Sequence, residues 1–334
     1  MCSLDLSVRT LLSAHVSLGP RMKALVLEGS RALCLREIET PEAGPGEALV
    51  RVEVAGIGGS EYLGFANPGI RPLPNIMGHS IAGIDPDGRR VTVNPLRGCG
   101  ACAACSVDLV QLCESWSLIG VQSDGGFAQV VSVPFESLVE LPEDLSWEQA
   151  AFVEPFANSV NAWEISGAGS SDRIAVIGAG GLGLGLTACA AEAGCETIAV
   201  CDLSPTRLQA AHDLGASDVG HALAERYDVV FDTVGSADTR QMALEATRSG
   251  GHCVFLGFAS ALTEIDISSV IRQQKRLSGA FVYSARQFSR ALGLTRLCRR
   301  DWVRNLSFEG VAPLLEGYLA GDFSVVRAAL RPNA

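Results

Sequence analysis

Residues 173–202 read RIAVIGAGGLGLGLTACAAEAGCETIAVCD, and this stretch decides the fold. The apolar run RIAVIG leads directly into the glycine-rich turn GAGGLG, a helical pattern follows, and a second apolar run ends in Asp202. The order strand, glycine-rich turn, helix, strand is that of a βαβ unit. Because the same alternation continues to GHCVFLGF at residues 251–258, the sequence predicts a doubly wound parallel sheet with helices on both faces.

The spacing of the glycines in this turn indicates a binding site for a dinucleotide. Gly178 permits the tight turn, Gly180 lets the backbone approach a pyrophosphate, and Gly183 lets the helix pack against the strand. The phosphates then meet the N-terminus of the helix, where backbone N–H groups point outward. We expect Gly181 and Leu182 to contact the cofactor as well.

The end of the second strand predicts which dinucleotide binds. A carboxylate at Asp202 can accept hydrogen bonds from both ribose hydroxyls and would repel a 2′-phosphate, so we expect NAD(H) rather than NADP(H). Arg207 follows five residues later, and we expect it to pack over the adenine. Val234 and Gly257 are also predicted to contact the cofactor.

The chain on either side of this unit has other patterns. From Met22 to about Pro142, short alternating segments are broken by Gly and Pro, which is typical of mainly antiparallel β structure. The segment WEQAAFVEPFANSVNAWEI, residues 147–165, predicts one helix. The last fifty residues read helix, helix, strand, and the first 21 are expected to be an extension outside the fold.

Composition and charge narrow the classes of partner. The chain has 334 residues, 48% of them hydrophobic, and 37 acidic against 26 basic residues give a net charge of −11. Such a surface repels nucleic acid and anionic membranes, so a small-molecule substrate is expected. The N-terminal segment lacks the basic start of a secretory signal, and eleven cysteines suit a reducing cytoplasm.

Four cysteines, Cys99, Cys102, Cys105 and Cys113, stand within fifteen residues as C-x2-C-x2-C-x7-C. Four thiolates on short loops can enclose one tetrahedral zinc, with no open coordination position. Since the other cysteines are scattered singly, we expect a structural zinc in a lobe of about residues 97–115.

Further segments complete a family resemblance. In order they are AGIGGSE, IMGHSIAG, the four-cysteine run, DGGFAQVVSVP, EPFANSVNAWE, GAGGLG, AVCDLSPTRLQAAHDLGA, DVVFDTVG and VVRAALRP. Together they resemble the zinc-containing alcohol, polyol and threonine dehydrogenase branch of the medium-chain dehydrogenase/reductase superfamily. The resemblance implies a GroES-like, mainly-β catalytic domain over residues 22–155 and 285–334, a Rossmann domain over residues 156–284, and an active cleft between them. It also implies a homodimer or homotetramer.

The resemblance exposes a gap at the family's catalytic zinc. The family holds that zinc with a Cys in G-x-C-G-S-D, with the His of G-H-E, with a residue just ahead of the nucleotide domain, and sometimes with the Glu of G-H-E. This chain keeps His79 and Glu154, but Gly58 replaces the Cys and Ser80 replaces the Glu. A catalytic zinc usually takes three protein ligands, so we expect this position to be free of metal.

The resemblance also supplies candidate catalytic residues. Ser60 matches the family's proton-relay hydroxyl, and Tyr62 adds a phenol two residues later. His79, hydrogen-bonded to Glu61 or Glu154, is a candidate general acid or base, although a buried structural histidine is the alternative interpretation. Asn158 falls where a polar group can adjust the position of the cofactor.

These observations leave several functions open. The leading hypothesis is an NAD(H)-dependent oxidoreductase that interconverts a secondary alcohol and a ketone on a polyol, cyclitol or sugar derivative. A zinc-free reductase, or a lyase or epimerase that uses bound NAD without net redox change, is the alternative within enzymes. A catalytically silent NAD(H)-binding protein is the alternative of another class. A polar cleft around Gly58 and Ser80 would favour an enzyme, and an apolar one would favour the silent protein.

Overall fold

The computed structural model describes residues 19–334. Most of the extension expected over residues 1–21 therefore lies outside the described residues. From Gly19 the chain is tied to its neighbours, because Thr40 donates its backbone N–H to the carbonyl of Pro20 at 3.0 Å. No helix among the described residues has the length and apolar character that crossing a bilayer requires.

The first part of the chain is mainly antiparallel β, as the alternating pattern predicts. Its strands are β1 (Arg21–Gly29), β2 (Ala32–Glu39), β3 (Glu47–Ile57), β4 (Asn75–Ile76), β5 (Ser80–Ile84), β6 (Arg90–Val93), β7 (Leu96–Arg97), β8 (Ser117–Leu118), β9 (Val130–Pro134) and β10 (Leu138–Glu140), with helix α1 (Gly59–Ala66) after β3. Along β3, alternate residues from Ala48 to Val54 are fully buried, which fixes the face that meets the core.

A break divides the predicted helix of residues 147–165. The structure has α2 (Trp147–Ala150) and then α3 (Val153–Ser166), so the prediction of one continuous helix is wrong. Pro155 has no N–H to donate to the carbonyl of Ala151 four residues earlier, and that turn cannot close in the regular way. The carbonyl of Ala151 is therefore left for another donor.

The middle of the chain forms a six-stranded parallel sheet in the order β13-β12-β11-β14-β15-β16. Its elements are β11 (Ile174–Ile177), α4 (Gly181–Glu192), β12 (Ile198–Cys201), α5 (Pro205–Asp213), β13 (Asp218–Gly220), β14 (Tyr227–Asp232), α6 (Ala237–Ala246), β15 (Thr247–Phe255), α7 (Ile267–Arg272) and β16 (Arg276–Gly279). Successive residues of β11 enter different cores: Ile174 packs in one and Ala175 in the other. Both faces of the sheet are therefore covered.

The chain then returns to the first part. After α8 (Ala285–Leu294) come β17 (Val303–Leu306), α9 (Phe308–Leu319) and β18 (Arg327–Leu330). β18 pairs antiparallel with β3, with Ala328 opposite Ile57, and β17 pairs parallel with β18. The main sheet of this part has the order β10-β6-β5-β3-β18-β17, with β9 also on β3. The sequence predicted β18 but not β17.

Candidate active site

The candidate site centres on His79, which lies just ahead of β5 and is 7% exposed. Its Nδ1 lies 2.8 Å from Oε1 of Glu61, a carboxylate on α1 that is 1% exposed. Both atoms are buried, and neither has another hydrogen-bond partner among the described residues. The second carboxylate oxygen of Glu61 accepts the backbone N–H of Gly58 at 2.8 Å.

The two groups stabilise each other's charged form. Burial opposes ionisation of Glu61, but the His79 charge, the Arg327 charge and the Gly58 N–H together lower the pKa of Glu61 to about 2. Burial also opposes the charge on His79, but Glu61 and then Glu154 raise the pKa of His79 above its ordinary value. Glu61 is therefore a carboxylate at neutral pH, and the protonated form of His79 persists to higher pH than that of an ordinary histidine.

Ser60 connects this buried pair to the open side of the cleft. Its Oγ lies 3.1 Å from Nε2 of His79 and donates to Oε2 of Glu61 at 3.3 Å, while the residue itself is exposed. It sits in the first turn of α1, which begins immediately after Gly58. The geometry allows a proton to pass between the cleft and His79 through one hydroxyl.

Glu154 on α3 forms the opposite wall. Its Oε2 lies 3.6 Å from His79 Nε2 and accepts a hydrogen bond from Ser80 Oγ at 3.3 Å. Its Oε1 accepts from Asn158 Nδ2 at 2.8 Å and from the hydroxyl of Tyr283 at 3.2 Å. Asn158 thus orients Glu154, and Tyr283 is a contact for which no sequence pattern provided a signal.

Arg327, at the start of β18, completes the cleft and was not predicted. It is 5% exposed, and its Nη2 donates to Ser80 Oγ at 3.1 Å. Its Nε and Nη2 both donate to the carbonyl of Ala151, at 3.2 and 2.9 Å. This is the carbonyl that Pro155 leaves free. A lone basic residue inside the apolar run VVRAAL was the available signal in the sequence.

Tyr62 lies apart from His79, in an aromatic cluster. Its ring centroid is 5.8 Å from that of Tyr318 and 6.1 Å from that of Phe323. Within the described residues its hydroxyl makes no hydrogen bond to His79 or Ser60. Burial raises the pKa of Tyr62, so its phenol stays protonated at neutral pH.

The glycine turn has the close contacts that its sequence predicts. Gly178 has φ of +92°, and a Cβ placed on Gly183 would lie 1.7 Å from the carbonyl oxygen of Gly178. Only glycine fits at both positions. Asp202, at the end of β12, reaches this turn, because its Oδ2 accepts the backbone N–H of Ala179 at 2.7 Å. Its Oδ1 accepts from Ser204 N at 2.7 Å.

The other predicted cofactor residues meet at the same edge of the sheet. A methyl carbon of Val234 would lie 2.7 Å from a Cβ on Gly178, and Gly257 packs directly against the backbone of Val234. Gly181 and Leu182 form the first turn of α4. The structure thus brings this part of the predicted set together.

Arg207, which is predicted to pack over the adenine, contacts an aromatic side chain and the start of α4. Its guanidinium carbon is 5.1 Å from the ring centroid of Phe323, and its Nε donates to the carbonyl of Val325 at 3.0 Å. Its Nη1 would be 3.9 Å from a Cβ on Gly180, and Nη1 of Arg327 would be 3.4 Å from one on Gly181. Two guanidinium groups therefore flank the start of α4, an arrangement that suits a pyrophosphate.

The four-cysteine lobe forms a compact cluster of sulfur atoms. The Sγ atoms of Cys99, Cys102, Cys105 and Cys113 all lie within 4.8 Å of one another, where a tetrahedral zinc–thiolate site needs about 3.8 Å. Backbone N–H groups of Cys102 and Cys99 donate to the Sγ atoms of Cys99 and Cys113, at 3.3 and 3.4 Å. The ten cysteines of the described chain are all free thiols. The cluster fits one structural zinc, which would cross-link the lobe.

Comparison with known proteins agrees with this arrangement. The family described as "Alcohol dehydrogenase GroES-like domain" matches residues 44–143, and the one described as "Zinc-binding dehydrogenase" matches residues 181–296. Sorbitol dehydrogenase of Bacillus subtilis (strain 168) is 31% identical over 290 residues, which cover 75% of this chain and 82% of that protein. The chain belongs to the medium-chain dehydrogenase/reductase superfamily.

Other members of this superfamily are similar over most of the chain. L-galactonate-5-dehydrogenase of Escherichia coli (strain K12) is 31% identical, over 71% of this chain and 76% of that protein. The crystal structure of 2R,3R-butanediol dehydrogenase from Bacillus subtilis has a TM-score of 0.82 and 26% identity, and the match covers 93% of this chain and 100% of that one. The fold is thus a GroES-like domain combined with a Rossmann domain, and the chain is an alcohol dehydrogenase-like oxidoreductase.

Within this superfamily pattern, the cleft supplies few ligands for a catalytic zinc. His79 and Glu154 are present, Gly58 and Ser80 have no ligand atom suited to zinc, and Glu61 is already paired with His79. Across residues 19–334, the cysteine cluster is the one set of three or more His, Cys, Asp or Glu side chains whose ligand atoms lie within 4.8 Å of one another. His79 and Glu154 alone fall short of the three protein ligands that a catalytic zinc takes.

We predict one zinc per chain, bound in the lobe. Cys113→Ser removes the buried ligand of the cluster, so metal analysis should give a zinc content near zero and the melting temperature should fall. Cys34→Ser, at a thiol on β2 outside the cluster, serves as the control and should leave both values unchanged. Retention of a full zinc equivalent by Cys113→Ser would contradict the assignment.

We predict that Glu61→Gln lowers the pKa of His79, because it removes the larger of the two carboxylate charges that raise it. A raised histidine pKa contributes stability that is complete below the pKa of the unfolded state and is lost as pH rises through the folded pKa. The variant should therefore lose that contribution at lower pH than the wild type does. NMR titration of the imidazole signals measures this, with exposed His212 as the internal control. An unchanged titration of His79 would show that Glu61 does not hold its charge.

Proposed function

We propose that this protein is an NAD(H)-dependent oxidoreductase that interconverts a secondary alcohol and a ketone on a small polar substrate, without a metal in the cleft. The observation that carries the proposal is the exposed hydroxyl of Ser60 in contact with the buried His79–Glu61 ion pair. Together with the glycine turn, this arrangement offers a proton path next to a dinucleotide site.

The names of the relatives support the substrate class. One similar protein is a sorbitol dehydrogenase, another an L-galactonate-5-dehydrogenase, and several are L-threonine 3-dehydrogenases. Polyols, sugar derivatives and hydroxylated amino compounds share a secondary hydroxyl among other polar groups. A polyol, cyclitol or sugar derivative is the class that we propose for this chain.

The side chains of the cleft handle the proton of the reaction. The glycine turn and Asp202 would hold NAD(H), which would supply or take up the hydride when bound. Ser60 takes the proton of the substrate hydroxyl and passes its own to Nε2 of His79, and in the reverse direction the imidazolium returns it. Because the pKa of His79 is raised, the proton-donating form extends to higher pH, which favours ketone reduction near neutrality and alcohol oxidation at alkaline pH.

The polarity of the cleft supports an enzyme rather than a silent NAD(H)-binding protein. Gly58 and Ser80 adjoin ionic and hydroxyl groups instead of apolar filling. Burying an ion pair or a guanidinium costs folding free energy, which hydrogen bonds offset only in part. A site that catalyses no reaction would therefore be expected to have apolar residues at these positions. Buried charge in contact with an exposed hydroxyl is typical of proton-transfer sites.

Assembly into a homodimer or homotetramer remains a prediction. β16 is an edge strand of the parallel sheet, and on the neighbouring α7 the side chains of Ile267 and Ile271 are 56% and 69% exposed. An edge strand beside exposed apolar groups is a surface that proteins usually cover, which supports pairing at this end of the sheet.

The direct test is a screen of polyols, cyclitols and sugar acids with NAD⁺ and NADP⁺. The protein should carry zinc in the four-cysteine lobe, and a chelator should be added to remove any metal from the cleft. We expect NADH formation with at least one substrate class, and weaker reaction with NADP⁺. Asp202→Ala should narrow the preference, since the carboxylate that repels a 2′-phosphate is gone. Lys23→Ala is the control, because Lys23 lies on β1, which belongs to a different sheet from Asp202. Equal use of NADP⁺ by the wild type, or activity abolished by the chelator while the lobe zinc is retained, would contradict the proposal.

A further inference from the structure

We propose that the guanidinium of Arg327 takes the place of the catalytic metal. It fills the position of the missing ligand at residue 58, and its free Nη1 group binds the substrate oxygen. The positional part of this inference stands on the structure alone. The catalytic part rests on the proposed function.

Strand register places Arg327 beside Gly58. β18 and β3 are antiparallel, with Ala328 opposite Ile57. Arg327 precedes Ala328 and therefore faces Gly58, which follows Ile57. A Cβ on Gly58 would lie 2.6 Å from Nη1 of Arg327 and 3.8 Å from its Cζ. Side-chain carbons do not approach other heavy atoms within 3.0 Å without a shift. A cysteine at 58 would therefore require the guanidinium end of Arg327, which three hydrogen bonds hold in place, to shift.

The second departure from the family pattern has the same explanation. Ser80 stands where the family has a glutamate, and its Oγ accepts from Arg327 Nη2 at 3.1 Å while donating to Glu154 Oε2 at 3.3 Å. A short hydroxyl side chain thus joins the guanidinium to the wall of the cleft. One arginine accounts for both lost ligands.

The charges of the cleft fit a guanidinium and oppose a zinc beside it. Burial is the larger effect and lowers the pKa of Arg327, while the charges of Glu61 and Glu154 oppose that shift and stabilise the guanidinium. Within residues 19–334 no carboxylate oxygen lies within 4.0 Å of the guanidinium, so its charge is shared across the cleft and not cancelled by one close partner. A divalent cation at the family's position would face this fixed positive charge at short range.

Three of the five N–H groups of Arg327 have acceptors, which are the Ala151 carbonyl and Ser80 Oγ. The two N–H groups on Nη1 have no acceptor among the described residues. Nη1 is also not fully buried. Nη1 is thus open to the cleft. It can donate to an oxygen there in the way that an oxyanion hole does.

The step balances without a metal. In oxidation the alcohol carbon gives a hydride to NAD⁺, and the hydroxyl proton goes to Ser60 and from there to His79. The C–H and O–H bonds break, a C=O bond forms, and the products are a ketone, NADH and one proton. Arg327 stabilises the negative charge that develops on the oxygen, which is the role of a Lewis acid in a zinc dehydrogenase.

Phosphate binding is the competing role for the same atom, because Nη1 would also be 3.4 Å from a Cβ on Gly181 at the start of α4. An arginine that only binds pyrophosphate would affect cofactor affinity and leave turnover unchanged. The kinetics of the Arg327→Met variant separate the two roles.

The test of where Arg327 lies needs no substrate. Gly58 has φ of −145°, which alanine also adopts, so Gly58→Ala should be destabilising only through its clash with Arg327. We expect it to lower the melting temperature, and we expect most of the loss to vanish in an Arg327→Met background. Gly59→Ala, whose Cβ would meet only Tyr62 at 3.9 Å, is the matched control. A neutral Gly58→Ala, or a loss that Arg327→Met leaves in place, overturns the proposal.

Zinc counting extends this arm. Gly58→Cys with Ser80→Glu should still bind one zinc per chain, in the lobe, because the guanidinium blocks the cleft. Adding Arg327→Ala to that pair should raise the count to two. Two zinc ions per chain in the double variant, or only one in the triple variant, would contradict the assignment. Because this arm measures metal and stability, it remains decisive even if the function screen finds no substrate.

The kinetic arm uses a substrate from the screen. Arg327→Met should lower kcat by about 10²- to 10³-fold, as loss of an oxyanion donor does, and added methylguanidine should restore part of it. Arg331→Lys, four residues along the chain and paired with Glu148, should keep its turnover. A rise in the KM for NAD⁺ with unchanged kcat would show that Arg327 serves the phosphates alone.

Discussion

The structure of the cleft depends on one buried guanidinium. Arg327 donates to the Ala151 carbonyl, which Pro155 leaves without its helical partner, and to Ser80 on β5, two strands away in the sheet. It therefore joins β18, the break between α2 and α3, and the start of β5 at a single point. Burial of such a group is costly unless its N–H groups are used, and three of the five are.

The chain treats two metal positions of its family in opposite ways. The lobe keeps four thiolates on short loops, with N–H groups directed at two of the sulfur atoms. In the cleft, Gly58 and Ser80 stand where the family resemblance implies a thiolate and a carboxylate, and the Arg327 guanidinium lies beside both residues. A metal that cross-links a loop has no organic substitute of similar strength, whereas a metal that only stabilises an oxyanion can be replaced by a hydrogen-bond donor.

Much of the fold was predictable because its signals are local. The glycine turn, the alternation of strands and helices and the four-cysteine spacing each reflect neighbours in sequence. Arg327 was not predictable in the same way, since its role depends on register with β3, about 270 residues earlier. The positions of Tyr62 and Arg207 likewise follow from an aromatic cluster that forms only when α1, α5 and the segment after α9 meet. The break at Ala151 could have been read from Pro155 alone.

The central claim is that the cation of the cleft is an arginine and not a metal. A crystal structure of the protein grown with excess zinc, with anomalous diffraction collected at the zinc absorption edge, tests it directly. The account predicts one anomalous peak per chain, among Cys99, Cys102, Cys105 and Cys113, with the Arg327 guanidinium against Ser80 and the Ala151 carbonyl. A second peak between His79 and Glu154, with Arg327 displaced from Gly58, would contradict it.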